Sequence, residues 1–286
     1  MQRQWFSVDD LTNYTINKQH IIKHLNKGAY QKSSELCLFS HVPKTAGTSL
    51  EQIVAKNFKV SETLHINAPD LNRLPAIIQA KKYLPKFICG HHPLHGLVYQ
   101  LLSEQSLFHF TQLREPVDRV ISYYNYVKGK TDHPMHQHTV KNNFIEFLNA
   151  DPSPELSNGQ CRRFSGYLHQ GQASDSLLFQ EALDTLTNCF SLVLTTCLFD
   201  EGLLLLKNRL KLKDIYYQKQ NVSDKFLHKE ELSDIELNFV SERNLADINL
   251  FNTIKNNCIE LVSIEVPNQE LHRFKTKNTT WQQQIN

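Results

Sequence analysis

The 286-residue sequence predicts an α/β architecture, a mostly parallel central sheet with helices on both faces, and three observations carry that prediction. Short apolar runs such as Leu36-Cys37-Leu38-Phe39 read as strands buried on both sides. They alternate with longer stretches whose apolar residues recur at helical spacing, the grammar of a parallel sheet covered by helices. Two of the runs end in polar clusters, Gly90-His91-His92 and Arg114-Glu115-Pro116, placed where ligand-binding residues leave such a sheet.

Residues 1–34 are polar, with a thin helical stripe of Leu11, Ile16, Ile21, Ile22 and Leu25, and read as a preamble to a domain spanning 35–274. The first strand leads through a turn containing Gly47 into a helix from Thr48 to Phe58, with Leu50, Ile53, Val54 and Phe58 on one face. A second strand is expected at Phe87-Ile88-Cys89 and a third over 107–113. Pro116 then suits a first helical position, and Val117, Val120, Ile121 and Tyr124 continue that helix's apolar face. Residues 128–158, rich in His, Asn and Pro, read as an irregular insertion around a short helix at Asn143–Leu148. A fourth strand over 191–195 and a helix from Asp200 to Leu212 follow. Helical spacing continues through Ile235, Leu237, Leu245, Leu250 and Ile254, and the polar stretch 275–286 reads as a loose tail.

The composition narrows the function. Thirty-one Lys and Arg against 29 Asp and Glu give a net charge of +2, too even for a dedicated nucleic-acid binder but compatible with a local pocket for an anion. Six scattered cysteines without a CxxC pair suggest reduced thiols rather than a zinc ribbon or a disulfide framework. Polar sequence after Met1-Gln2-Arg3-Gln4-Trp5-Phe6 and the lack of any apolar run near the ~20 residues that span a bilayer lead us to expect a cytoplasmic protein without membrane anchor. Oligomeric state is not legible.

The loop His41-Val42-Pro43-Lys44-Thr45-Ala46-Gly47-Thr48-Ser49 joins a buried strand to a helix start. Amides at such a start converge on an anion, and the helix dipole favours negative charge there. Gly47 would permit close approach, Lys44 adds a point charge, and the hydroxyls of Thr45, Thr48 and Ser49 add donors. The lysine precedes the glycine by three positions, so this is not the nucleoside-triphosphatase loop GxxxxGK[ST]. An ordinary αβ turn with a capping serine is the alternative. A second anchor lies in Leu113-Arg114-Glu115-Pro116-Val117-Asp118-Arg119-Val120-Ile121-Ser122-Tyr123-Tyr124. Here Arg114 ends a strand and Ser122 lies about two turns into the next helix, so a guanidinium fork and a hydroxyl can face one ligand group. Arg119 fits either a structural charge or a solvated helix residue.

With both segments in view, the chain resembles the sulfotransferases that use 3′-phosphoadenosine 5′-phosphosulfate (PAPS), most closely the branch with the heparan and chondroitin sulfate enzymes and their bacterial relatives. The resemblance implies a P-loop-like three-layer fold. It assigns the 5′-phosphosulfate to Pro43, Lys44, Thr45, Ala46, Gly47, Thr48 and Ser49, and the 3′-phosphate to Arg114 and Ser122. It further implies PAPS as donor, no metal, and a hydroxyl acceptor on a carbohydrate. Two looser similarities are Asn158-Gly159-Gln160-Cys161-Arg162-Arg163-Phe164-Ser165-Gly166, near the acceptor side, and Lys219-Gln220-Asn221-Val222-Ser223, the loop over the nucleotide, with Asn221 and Ser223 as contacts.

Imidazole suits the base that such a transfer needs. The family's Gly-His after a strand maps onto His91, with His92 and His95 as rivals. Cys89 stands where the 2-O-sulfating enzymes carry a first His, so their two-histidine arrangement is not expected intact. Lys44 would neutralise charge building on the sulfuryl and bridging oxygens. His133, His136 and His138 match no established zinc spacing and read as an acceptor-contacting or solvated loop. Two other functions remain open: a nucleotide or small-molecule kinase, for which no acidic magnesium ligand is evident, and a non-catalytic nucleotide-binding protein.

Overall fold

The computed structural model describes residues 36–66, 85–91, 107–150, 153–166, 173–218 and 226–285, so the 1–34 preamble lies outside the described residues. Strand β1 (Leu36–Ser40) runs through the loop into helix α1 (Gly47–Ala55). Strands β2 (Thr63–His65), β3 (Phe87–Gly90) and β4 (Leu107–Leu113) follow. Helices α2 (Pro116–Gly129), α3 (His136–Lys141), α4 (Phe144–Asn149), α5 (Gly159–Ser165) and α6 (Asp175–Cys189) lead to β5 (Leu192–Thr195). The chain continues as α7 (Phe199–Leu210), α8 (Asp234–Arg243), α9 (Leu245–Glu265) and α10 (Asn268–Ile285).

The five described strands are parallel, in the order β2-β3-β1-β4-β5. Alternate side chains of β1 serve opposite faces, which is why its run is apolar throughout. Leu36 and Leu38 pack with Phe164 of α5, Leu178 and Leu186 of α6 and Leu250 and Ile254 of α9. Cys37 and Phe39 pack with Leu50, Ile53 and Val54 of α1, Leu203 to Leu206 of α7 and Phe274 of α10. This is the expected P-loop-like three-layer arrangement. A third cluster joins Val117, Val120 and Tyr124 of α2 to Phe147 of α4 and Val240 of α8.

Register places the site. Ser40 pairs with Gly90 of β3 and with Thr111 of β4, so three neighbouring strands deliver their next residues at one level of the carboxyl edge. The chain visits β2 and β3 on one side of β1 and then β4 and β5 on the other. The crevice over β1 is therefore the point where strand order reverses, the usual ligand position in open α/β sheets. Gly90 ends β3 at φ 129, and a Cβ there would meet the Ile66 carbonyl oxygen at 2.0 Å.

Several elements differ from expectation. Strand β2 escapes notice because only Leu64 of its three residues is buried. Helix α1 stops at Ala55 rather than Phe58, because the Asn57 carboxamide donates back to Ile53 O and accepts from the amides of Lys213 and Asp214. The 128–158 region contains α3 as well as the expected α4, and α2 runs on to Gly129. The stretch after Phe274 is not a loose tail but the second half of α10. It docks through polar groups: Asn278 accepts the Tyr217 amide at 2.8 Å and Gln282 donates to Tyr217 O at 2.8 Å, while Trp281 stacks on Tyr216. All six cysteines are free; five are buried and Cys197 is exposed.

Candidate active site

The loop after β1 is held by its carbonyls. His91 Nδ1 lies 3.0 Å from His41 O, and since a carbonyl only accepts, this ring nitrogen carries the proton. Thr45 Oγ1 donates to Val42 O at 2.9 Å, Arg119 Nε to Pro43 O at 3.1 Å and Arg114 Nη1 to Lys44 O at 3.2 Å. Gln112 Nε2 donates to Thr45 O, and the Leu50 amide to Ala46 O at 3.3 Å. Every carbonyl from His41 to Ala46, the group that would repel an anion, is thus committed to the protein. Lys44 at φ 67 and Ala46 at φ 57 adopt left-handed backbone, a strain typical of functional loops.

The opposite, donor side of the loop is left for a ligand. Ala46 occupies the N-cap of α1 and has no side chain able to cap it, and no acidic residue lies in the first turn. Among the described residues, the leading amides of α1 therefore have neither an intrahelical acceptor nor a capping oxygen, and no first-turn carboxylate meets the dipole end. Thr48 is exposed and Ser49 half-buried in that turn. Lys44 Nζ rests 4.3 Å from the centre of the Tyr126 ring. Burial, and after it the Arg114 guanidinium, lower the Lys44 pKa to about 8. Two cations and a row of uncapped amides converge on one crevice.

Arg114 borders this crevice, its Nη1 on Lys44 O, and Ser122 lies on the face of α2 that carries Arg119 and Tyr126. Buried Gln160 grips the Arg114 backbone from both sides, accepting its amide at 3.0 Å and donating to its carbonyl at 2.9 Å. Gln160 is itself seated by Asp247, which accepts the amides of Gln160 and Cys161 at the start of α5. Ser122 lies three residues after Arg119 and four before Tyr126, so all three share one face of α2. Arg119 reaches the Pro43 carbonyl and Tyr126 underlies Lys44, which turns the Ser122 face toward the loop.

His91 follows β3. Its ring keeps a solvent-exposed edge and otherwise packs against the protein, 4.0 Å between ring centres from buried His41. This burial, with the neighbouring His41 charge, pushes its pKa down to about 4, so the ring is neutral near pH 7. With the proton on Nδ1, the lone pair that can accept a proton lies on Nε2.

Some expected roles change. The Thr45 hydroxyl is buried and turned back onto Val42 O, so it anchors the loop rather than donating to a ligand. Gly47 is required by a different neighbour: a Cβ there would lie 2.0 Å from the His41 ring. Arg119 is not solvated; it is buried and ion-paired to Glu155, which also holds Arg163. The 158–166 segment supports the Arg114 anchor through Gln160. A two-histidine contact exists after all, but its second ring is His41 and comes from the loop. His133 accepts the Met135 amide and His136 reaches Val127 O, so these rings serve local backbone. His92, His95, Asn221 and Ser223 lie outside the described residues. Sequence reasoning missed Gln112, Gln160 and Glu51; the available signal was a buried-looking strand that carries His109, Thr111 and Gln112 among its apolar residues.

Fold and site together define a P-loop-like α/β protein that gathers Lys44, Arg114 and the leading amides of a helix at the switch point. The family model described as the sulfotransferase family matches residues 29–200, more than half of the chain and all five described strands. The chain belongs to the sulfotransferase family and is a sulfotransferase. A comparison with curated proteins finds no match.

Proposed function

We propose that this enzyme takes its sulfuryl group from PAPS and transfers it to a carbohydrate hydroxyl. The observation that carries the reading is the loop at 41–46, whose six carbonyls are all drawn into the protein beside Lys44 and Arg114. Such a cradle suits the dianionic phosphosulfate of that donor. The 5′-phosphosulfate would sit on the α1 amides, Lys44, Thr48 and Ser49, and the 3′-phosphate on Arg114 and Ser122. The resemblance would add Asn221 and Ser223 as contacts to the nucleotide.

The acceptor oxygen attacks sulfur in line. The new O–S bond forms as the S–O bond to the 5′-phosphate breaks, and adenosine 3′,5′-bisphosphate leaves. His91 Nε2 takes the acceptor proton. Its low intrinsic basicity rises when the donor's negative charge enters beside it, because an anion favours the imidazolium. Lys44 meets the charge that accumulates on the bridging oxygen.

Adenosine 3′,5′-bisphosphate should raise the melting temperature while ATP with magnesium should not. Equal stabilisation by both, or by neither, would count against the donor assignment. Sulfate-labelled PAPS offered with polysaccharides, glycolipids and small alcohols then identifies the acceptor class, and His91→Ala should retain nucleotide binding without transfer.

A further inference from the structure

We infer that Glu51 is a positioning residue for the base: through His41 it fixes the His91 ring in the form whose lone pair lies on Nε2. This rests on the reading of His91 as base. Glu51 belongs to α1, whose Leu50, Ile53 and Val54 fill the core. Its carboxylate turns instead to the carboxyl edge of the sheet. Oε2 lies 3.2 Å from His41 Nδ1, and Oε1 lies 3.1 Å from His65 Nε2, an ion-pair distance without hydrogen-bond alignment.

His41 is thereby held on every side. Its ring stacks on Phe39 at 5.4 Å, fills the space that a side chain at Gly47 would need, and touches the His91 ring. Its carbonyl receives the His91 Nδ1 proton. The chain of contacts runs from carboxylate to imidazole to backbone to imidazole.

Burial alone would push the Glu51 carboxyl up, yet the hydrogen bond from His41, the nearby Cys89 thiol and the charges of His41 and His65 bring it below its ordinary value. An ion is kept where an apolar residue would bury at less cost, beside the ring that must become positive in the transition state. Among the described residues, the charged groups facing His91 include Glu51 from α1, which favours the imidazolium, and His41 from the loop and Arg163 from α5, which oppose it. His65 of β2 and Cys89 of β3 face Glu51 itself.

The test uses the full-length enzyme. Glu51→Gln keeps the shape and removes the charge. It should lower kcat about tenfold or more, part of the general-base contribution, while leaving the affinity for adenosine 3′,5′-bisphosphate unchanged. The acid limb of kcat/KM should move to lower pH, because the lost negative charge no longer favours protonation. Nitrogen-15 imidazole spectra, with His91→Gln used for assignment, should show wild-type His91 protonated on Nδ1 and Glu51→Gln with mixed tautomers; Glu51→Asp should restore much of the rate. Unaltered kcat and acid limb in a folded Glu51→Gln enzyme, with His91→Ala inactive, would overturn this inference alone, as would a wild-type His91 protonated on Nε2. Full turnover by His91→Ala would instead remove the base assignment beneath it.

Discussion

Lys44 stands in a left-handed backbone conformation with its ammonium over the Tyr126 ring and the Arg114 guanidinium nearby. Burial, followed by that like charge, brings its pKa to about 8 from the ordinary lysine value of 10.5. Affinity for an anion that needs the ammonium should therefore fall as pH rises through 8, by up to about tenfold per unit, and binding near pH 8.5 should take up a proton. Calorimetry of adenosine 3′,5′-bisphosphate in buffers of different ionisation enthalpy checks this, and Lys44→Arg should flatten the dependence. The sign for stability is opposite. A lysine with depressed folded-state pKa penalises folding below about 8, and the penalty fades as pH rises from there toward the unfolded value. Lys44→Met should thus melt higher than wild type at pH 7 while losing nucleotide binding. Lys44, Gly47, Arg114 and Ser122 stand out in the sequence because each belongs to a short contiguous pattern. Gln112, Gln160, Glu51 and the tie made by Arg119 do not, because each acts on a backbone group or ring that only the folded loop, strands and helices bring within reach.

At the scale of elements, β4, α2 and the turn between them act as the clamp of the loop, supplying Gln112, Arg119 and Arg114 respectively to its carbonyls. The strands with continuous apolar runs were readable, since burial on both faces leaves one pattern. Helix α10 was not readable past Phe274, because its outer half docks by hydrogen bonds and aromatic stacking that a polar sequence conceals. Its link to α7 also includes Lys207 with Glu270 and Lys275 with Glu201, both partly exposed. Such pairs contribute about 0–1 kcal/mol each, whereas burying Phe274 in the α1–α7 layer contributes far more. Chemical denaturation should find Phe274→Ala destabilised by about 3–5 kcal/mol, and Lys207→Ala with Lys275→Ala by much less. A reversed ranking would mean that α10 is held by charge rather than by its apolar contact.

Across the whole molecule, the cradle proposed for the donor is assembled by residues distant in sequence that meet at one switch point. The loop carbonyls bind side chains of β4 and α2, His91 follows β3, and Gln160 of α5 secures Arg114, with Asp247 of α9 behind it. An anion seated on the α1 amides would tighten this set as a unit, because loosening any member frees a buried carbonyl or a buried charge at a cost of about 1–3 kcal/mol or more. The family match ends at residue 200, and α8 and α10 make none of the loop contacts just described. Hydrogen exchange with and without adenosine 3′,5′-bisphosphate should therefore show added protection in 41–50, at the end of β4, in the first half of α2 and at the start of α5. Exchange in α8 and α10 should stay as it is without ligand. Equal protection of α8 and α10 would show that ligand binding stiffens the entire chain, and the cradle would then not be the separable unit that its hydrogen bonds describe.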